Sequence, residues 1–178
     1  MKNLFLLGAL LGVAASASIA SAADLKPGDP APAFKMVGSD GKTYTLDQFK
    51  GKSAVVIAWF PRAFTGGCTK ECKSMREFGK DLKAYEVAYF TASVDTVEGE
   101  KGNAAFAKSL DLDYPILSDP TKENAVAFGV SDGTKPSARV TFYIGKDGKI
   151  LEVDKGVKTE THGKDIATKL GALGVAKK

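Results

Sequence analysis

Two stretches of the chain are apolar at nearly every position. Ser53 to Phe60 and Val87 to Val94 are short and rich in Val, Ile and aromatic residues, the pattern of strands covered on both faces at the centre of a sheet. Pro61 stops the first of them. Between the two the period changes. From Thr69 the apolar residues Cys72, Met75, Phe78, Leu82 and Tyr85 recur at steps of three and four, which predicts one amphipathic helix. Asn103 to Leu110 predicts a further helix and Tyr114 to Leu117 a short strand. Asp119-Pro120 opens another helix, a capping residue followed by proline at the first helical position, and Gly129 ends it.

Val140 to Ile144 and Lys149 to Val153 read as strands joined around Asp147-Gly148, a strong hairpin signal. The last helix spans about Gly163 to Leu173 and buries Ile166, Leu170 and Leu173. Upstream, Asp24 to Pro32 is a polar, proline-bearing entry, and Gly41 to Leu46 predicts a short strand running into a turn of helix at Asp47 to Phe49. Strands alternating with helices, closed by a hairpin and a final helix, predict an α/β sandwich built on a mixed central sheet flanked by helices.

The N-terminus changes how much of the chain this domain occupies. Lys2, the apolar run Leu4 to Val13 and the small residues Ala20-Ser21-Ala22 have the layout of a secretory signal cleaved after Ala22 or Ala23. The run is too short to span a bilayer comfortably. Residues 1–23 are therefore expected to be a cleaved signal, and 24–178 a single domain of an exported protein, periplasmic or secreted, with no membrane attachment once the signal is gone. The formal charge of +4 falls to +3 when Lys2, the one charged residue of that segment, is removed. The other lysines are scattered, so nothing supports nucleic-acid binding.

Two cysteines, Cys68 and Cys72, do not make a disulfide scaffold, and the loop they enclose is so short that a permanent bridge would add little. Reactivity accounts for them better. Cys68 follows the end of a central strand and precedes a helix, the place where sites collect in open α/β sheets. Unpaired N–H groups in a first helical turn favour a thiolate over a thiol. Gly66-Gly67 either lets the backbone turn tightly, with amides pointing at the sulfur, or is a plain loop.

The spacing Pro61-x-x-x-Thr65-x-x-Cys68 resembles the active-site motif of the peroxiredoxins, and Thr65-Gly66-Gly67-Cys68-Thr69-Lys70-Glu71 is similar to their bacterioferritin-comigratory, or Q-type, branch. The likeness runs from about Lys26 to the final helix. It implies a thioredoxin-like fold and a thiol-dependent peroxidase that needs no cofactor or metal, with a hydroperoxide as substrate and an external thiol as reductant, working as a monomer or homodimer. By the resemblance Cys68 is the peroxidatic nucleophile, Thr65 hydrogen-bonds the peroxide and Pro61 shields the sulfur. Pro136 to Ile144 resembles the segment that supplies the family's arginine, which nominates Arg139. The chemistry agrees: splitting an O–O bond needs a nucleophile on one oxygen and stabilisation of charge on the other.

Cys72 departs from the familiar pattern, in which the local resolving cysteine lies five positions on instead of four. Either it resolves the Cys68 sulfenic acid, which requires the first helical turn to unwind, or it is a core cysteine heading the apolar stripe. Arg62, a candidate to help hold the thiolate, is expected in solvent, and Trp59 and Phe60 in the core or pocket wall. Glu71 either orients Arg139 or favours the helix N-terminus. His162, the single histidine, is expected at a solvent-exposed helix cap. Two other readings compete. A Sco-type copper-binding assembly protein also carries Cys-x-x-x-Cys, but its ligand histidine lies where this chain has Arg139. A thiol–disulfide reductase would carry Cys-x-x-Cys.

Overall fold

A computed structural model describes residues 24–178, and the expected signal at 1–23 lies outside the described residues. Thirteen elements follow one another: β1 (Lys35–Gly38), β2 (Thr43–Thr45), a 3-10 turn (Leu46–Gln48), β3 (Ala54–Trp59), α1 (Gly66–Glu77), α2 (Gly79–Lys83), β4 (Val87–Ser93), α3 (Asn103–Ser109), β5 (Ile116–Ser118), α4 (Glu123–Ala127), β6 (Val140–Ile144), β7 (Ile150–Asp154) and α5 (His162–Ala172). The seven strands form one mixed sheet in the order β2-β1-β5-β4-β3-β6-β7. β3 pairs parallel to β4, as β4 does to β5, and β6 lies antiparallel to β3 with Trp59 opposite Val140.

All six residues of β3 are buried, as the unbroken apolar run requires. Their alternation divides the core between the two faces of the sheet. Val55, Ile57 and Trp59 pack with Phe90, Phe128 and Phe142 on the α4 side, while Ala54, Val56 and Ala58 pack with Met75, Leu82, Ile166 and Leu170 from α1, α2 and α5. A third, smaller cluster gathers Phe60, Ala63, Cys68, Cys72, Phe106, Leu110 and Ile116 at the ends of the central strands.

The structure departs from the sequence expectations at five points. The single helix expected from Thr69 starts earlier, at Gly66, and breaks at Phe78, whose ψ of 14° leaves helical geometry before buried Gly79. β1 went unseen because only four residues long, with Val37 exposed, it carries too little alternation to stand out. It forms a hairpin with β2 through Gly41, which has φ of 78°. The helix expected at Asp119 begins at Glu123, because Pro120 and Thr121 form a turn and Lys122 takes a left-handed φ of 63°. Asp119 still caps it from a distance, accepting the Ala125 N–H at 2.7 Å. The strand expected from Tyr114 starts at Ile116, after Pro115, which has no N–H for the ladder. Leu173 is only partly buried.

Two glycines of the helices around the site differ in what surrounds them. A Cβ on Gly163 of α5 would sit 2.3 Å from the Ser74 carbonyl oxygen of α1, whereas one on Gly66 meets nothing within 4 Å. Gly163→Ala is expected to cost at least about 2 kcal/mol by forcing the helices apart, and Gly66→Ala to be neutral or stabilising by up to about 1 kcal/mol. Urea denaturation of the two variants checks this, and equal midpoints would contradict the close helix contact.

Candidate active site

The end of β3 and the start of α1 are joined by residues 60–65, held from two sides. Asp95, just past β4, accepts the Ala63 N–H at 2.8 Å, and the buried Ser137 hydroxyl donates to the Phe60 carbonyl at 2.7 Å. Neither residue was singled out in the sequence, where both look like ordinary loop polar residues. Phe64 takes a left-handed φ of 60°, rare for an aromatic residue, and is 47% exposed while its ring lies 4.9 Å from that of Phe106. Pro61 is partly buried, and Arg62 is exposed as expected.

Thr65 is the N-cap residue of α1, and its hydroxyl donates to the Arg62 carbonyl at 3.0 Å. That places Cys68 third in the helix, within the first turn whose backbone N–H groups lack helical partners. Its side chain is 1% exposed. Arg139, immediately before β6, reaches across the sheet end so that Nη2 lies 3.3 Å from Cys68 Sγ. A Cβ on Gly67 would come within 3.3 Å of that same Nη2, so the second glycine leaves room for the guanidinium. Neither Gly66 nor Gly67 has a positive φ, so a tight turn is not their role.

Behind the arginine lies Glu71, one helical turn past Cys68 and with no exposed surface. Its Oε2 pairs with Arg139 Nη1, and its Oε1 lies 3.0 Å from His162 Nδ1. Glu71 therefore orients Arg139, one of the two roles the sequence allowed. The expectation for His162 was wrong. It begins α5 but is 1% exposed, because the α5 N-terminus is pressed onto α1 at Gly163, and its Nε2 lies 2.9 Å from the Thr141 hydroxyl. A lone polar residue near a helix start gives no hint of burial when the packing partner is another helix far away in sequence.

Cys72 is fully buried in the same apolar cluster as Cys68, and both are free thiols. Burial pushes the Cys72 thiol up to about 12, against smaller opposing contributions from the Tyr114 and Thr91 hydroxyls. Tyr114 donates to the Cys72 carbonyl at 3.0 Å. Among the described residues no group of three or more His, Cys, Asp or Glu side chains is arranged to hold a metal ion, and no helix is long and apolar enough to cross a membrane.

A sulfur in a first helical turn, touched by a partly buried and paired arginine on a thioredoxin-like sheet, defines a thiol-based redox enzyme. Comparison with known proteins makes this specific. Residues 27–153 match the model of the AhpC/TSA family. Peroxiredoxin Bcp of Escherichia coli is 32% identical over 148 residues, which cover 78% of this chain and 90% of that protein. The crystal structure of peroxidoxin BcpB from Mycobacterium tuberculosis superposes with a TM-score of 0.74 at 31% identity, covering 83% of this chain and 97% of the other. A structure of Xanthomonas campestris bacterioferritin comigratory protein, described for its alkyl peroxide reduction activity, gives a TM-score of 0.69 at 23% identity over 78% of this chain and 90% of its own, a likeness of fold. The chain belongs to the AhpC/TSA family. It is accordingly a peroxiredoxin, a thiol-dependent peroxidase, and the copper and disulfide-reductase readings are not favoured.

Two predictions follow from the buried network. Glu71→Gln leaves the Arg139 guanidinium without its anionic partner, which is expected to cost about 3 kcal/mol of stability, as breaking a buried pair does; a urea midpoint matching wild type would show the pair contributes nothing. The second concerns pH. Burial holds His162 down to about 4, against its ordinary 6.5, with Arg139 lowering it further and Asp154 and Asp165 opposing, and the Glu71 carboxylate 3.0 Å from Nδ1 acts in the opposing direction too. Between those values the unfolded chain binds a proton on this ring that the folded chain refuses. Stability is therefore lost as pH falls from about 6.5 to 4, by as much as about 3 kcal/mol. His162→Gln should flatten that part of the curve, and identical pH dependence in variant and wild type would mean the ring is protonated in the fold.

Proposed function

We propose that Cys68 is the peroxidatic residue of this peroxidase, with Arg139, Thr65 and Pro61 around it and Cys72 as its resolving partner. The observation that carries this reading is the 3.3 Å contact between Arg139 Nη2 and Cys68 Sγ in the first turn of α1. The Cys68 thiolate attacks the terminal oxygen of a hydroperoxide, the S–O bond forms as the O–O bond breaks, and the electron pair leaves on the distal oxygen, which takes a proton to become water or an alcohol. The guanidinium lies where that charge develops. The Thr65 hydroxyl, its proton committed to the Arg62 carbonyl, presents lone pairs to the O–H of the incoming peroxide. Pro61 shields the sulfur from bulk water.

Hydrogen peroxide and organic hydroperoxides are the proposed substrates. The alkyl peroxide activity of the Xanthomonas relative and the apolar surface of Phe64 beside Thr65 support the second class. Resolution follows when the Cys72 thiol attacks the Cys68 sulfenic acid, forming a disulfide and releasing water. Four positions apart on an intact helix the two Cα atoms are roughly 6 Å apart, near the upper limit for a bridge, so α1 must unwind locally first. An external thiol then reduces the disulfide. The layout of Lys2, Leu4 to Val13 and Ala20-Ser21-Ala22 supports export. The reductant is accordingly a thiol donor of that compartment or a small thiol.

Stopped-flow oxidation by hydrogen peroxide tests these assignments. Cys68→Ser is expected to abolish the fast phase. Cys72→Ser should keep it but lose the intramolecular disulfide, seen by mass as a product two hydrogens lighter than the reduced protein, and instead accumulate sulfenic and sulfinic forms. If Cys72→Ser still yields the same intramolecular species, the resolving assignment is wrong. Protein purified from its native compartment should begin at residue 23 or 24, and an N-terminus retaining the apolar run would refute cleavage.

A further inference from the structure

The roles assigned above leave His162 unused, although it is the single histidine of the chain and one of its most deeply buried polar side chains. We propose that His162 is a positioning residue of the peroxidase centre: from α5 it steadies the Glu71 carboxylate against Arg139, and thereby fixes the guanidinium at Cys68.

Glu71 is sealed from solvent, and among the described residues its two oxygens meet two charged or polar partners, Arg139 on one and His162 on the other. Among the described residues Glu71 Oε1 and Oε2, Arg139 Nη1 and His162 Nδ1 are buried and find no hydrogen-bond partner, so these close ion-pair approaches are what compensates each of them. The arginine side chain is 22% exposed, so unlike Glu71 it is not sealed in. A carboxylate gripped by that arginine alone could turn with it, and the guanidinium would leave the sulfur. A second contact on the far oxygen, from a ring that is itself immobile, removes that freedom.

The ring is immobile for reasons visible in its neighbours. Gly163 allows the α5 N-terminus to touch the α1 backbone at Ser74, and the Gly163 N–H donates to the Ser74 hydroxyl at 3.1 Å. Thr141 sits 2.9 Å from Nε2. With a carboxylate facing Nδ1, the proton belongs on Nδ1, and Nε2 then accepts from the Thr141 hydroxyl; the other tautomer would set a lone pair against an anion. Thr141 lies two residues beyond Arg139, so one end of β6 supplies both the guanidinium and the group that selects the tautomer. Cys68, Arg139, Glu71, His162 and Thr141 form a circuit closed through the backbones of α1 and β6.

This inference rests on the peroxidase reading for its kinetic arm only. Because there is one histidine, ring-labelled protein gives one set of imidazole nitrogen signals. At pH 7 the proton is expected on Nδ1, with its resonance moving upfield in Glu71→Gln. Thr141→Val, which keeps shape and removes the hydroxyl, should admit the second tautomer. The second-order rate constant with hydrogen peroxide is expected to fall about 10-fold in His162→Leu through misplacement of the guanidinium. His162→Asn, whose amide nitrogen can stand in for Nδ1, should recover most of that loss, and in the Glu71→Gln background His162→Leu should change the rate little further. An Nε2–H ring in wild type, equal losses for Leu and Asn, or the same loss with and without Glu71 would each overturn the proposal. Should His162→Leu fail to fold, the tautomer measurements on wild type, Glu71→Gln and Thr141→Val still decide it. A wild-type protein no faster with peroxide than a free cysteine would defeat the peroxidase assignment and leave the ring measurements standing.

Discussion

A carboxylate without access to water anchors the reactive end of this molecule. Glu71 has no exposed surface, so its charge must be met inside the protein, and the partners that meet it come from two other elements: the approach to β6 through Arg139 and the start of α5 through His162. Leaving any of them out strands a buried charge. The same residue that ties these elements together also sets the direction of the guanidinium toward Cys68.

The remaining architecture delivers these groups to one place. β3 and β6 are antiparallel neighbours, so the end of one strand lies beside the beginning of the other, and Arg139 is close to the loop that leads into the helix of Cys68 although seventy-one positions separate it from that cysteine. Asp95 and Ser137 then fix that loop from β4 and from the approach to β6. The loop can hold a strained residue at Phe64 because it is pinned on both sides.

The central strands, the final helix and the cysteine-bearing turn were legible in the sequence because each is set by local periodicity or by a short motif with fixed spacing. Arg139 was found only through its resemblance to a known segment. Asp95, Ser137 and the burial of His162 were not legible, since a polar residue in a loop or at a helix start looks the same whether it faces solvent or another element. What decides between those fates is a contact made far along the chain, such as Gly163 against Ser74. The break at Phe78 and the late start at Glu123 were hidden for a related reason: periodicity continues across an interruption that only backbone angles reveal.

Cys72 belongs with Phe60, Phe106, Leu110 and Ile116 in the cluster that fills the ends of the central strands. Under the proposed resolving role this side chain serves both as filling and as reagent, and the oxidised enzyme is then a differently folded object from the reduced one. Each catalytic cycle is then a small episode of melting and refreezing, and how firmly those aromatic and aliphatic neighbours grip sets how long an oxidised sulfur waits, exposed to a second oxidant, before it is rescued.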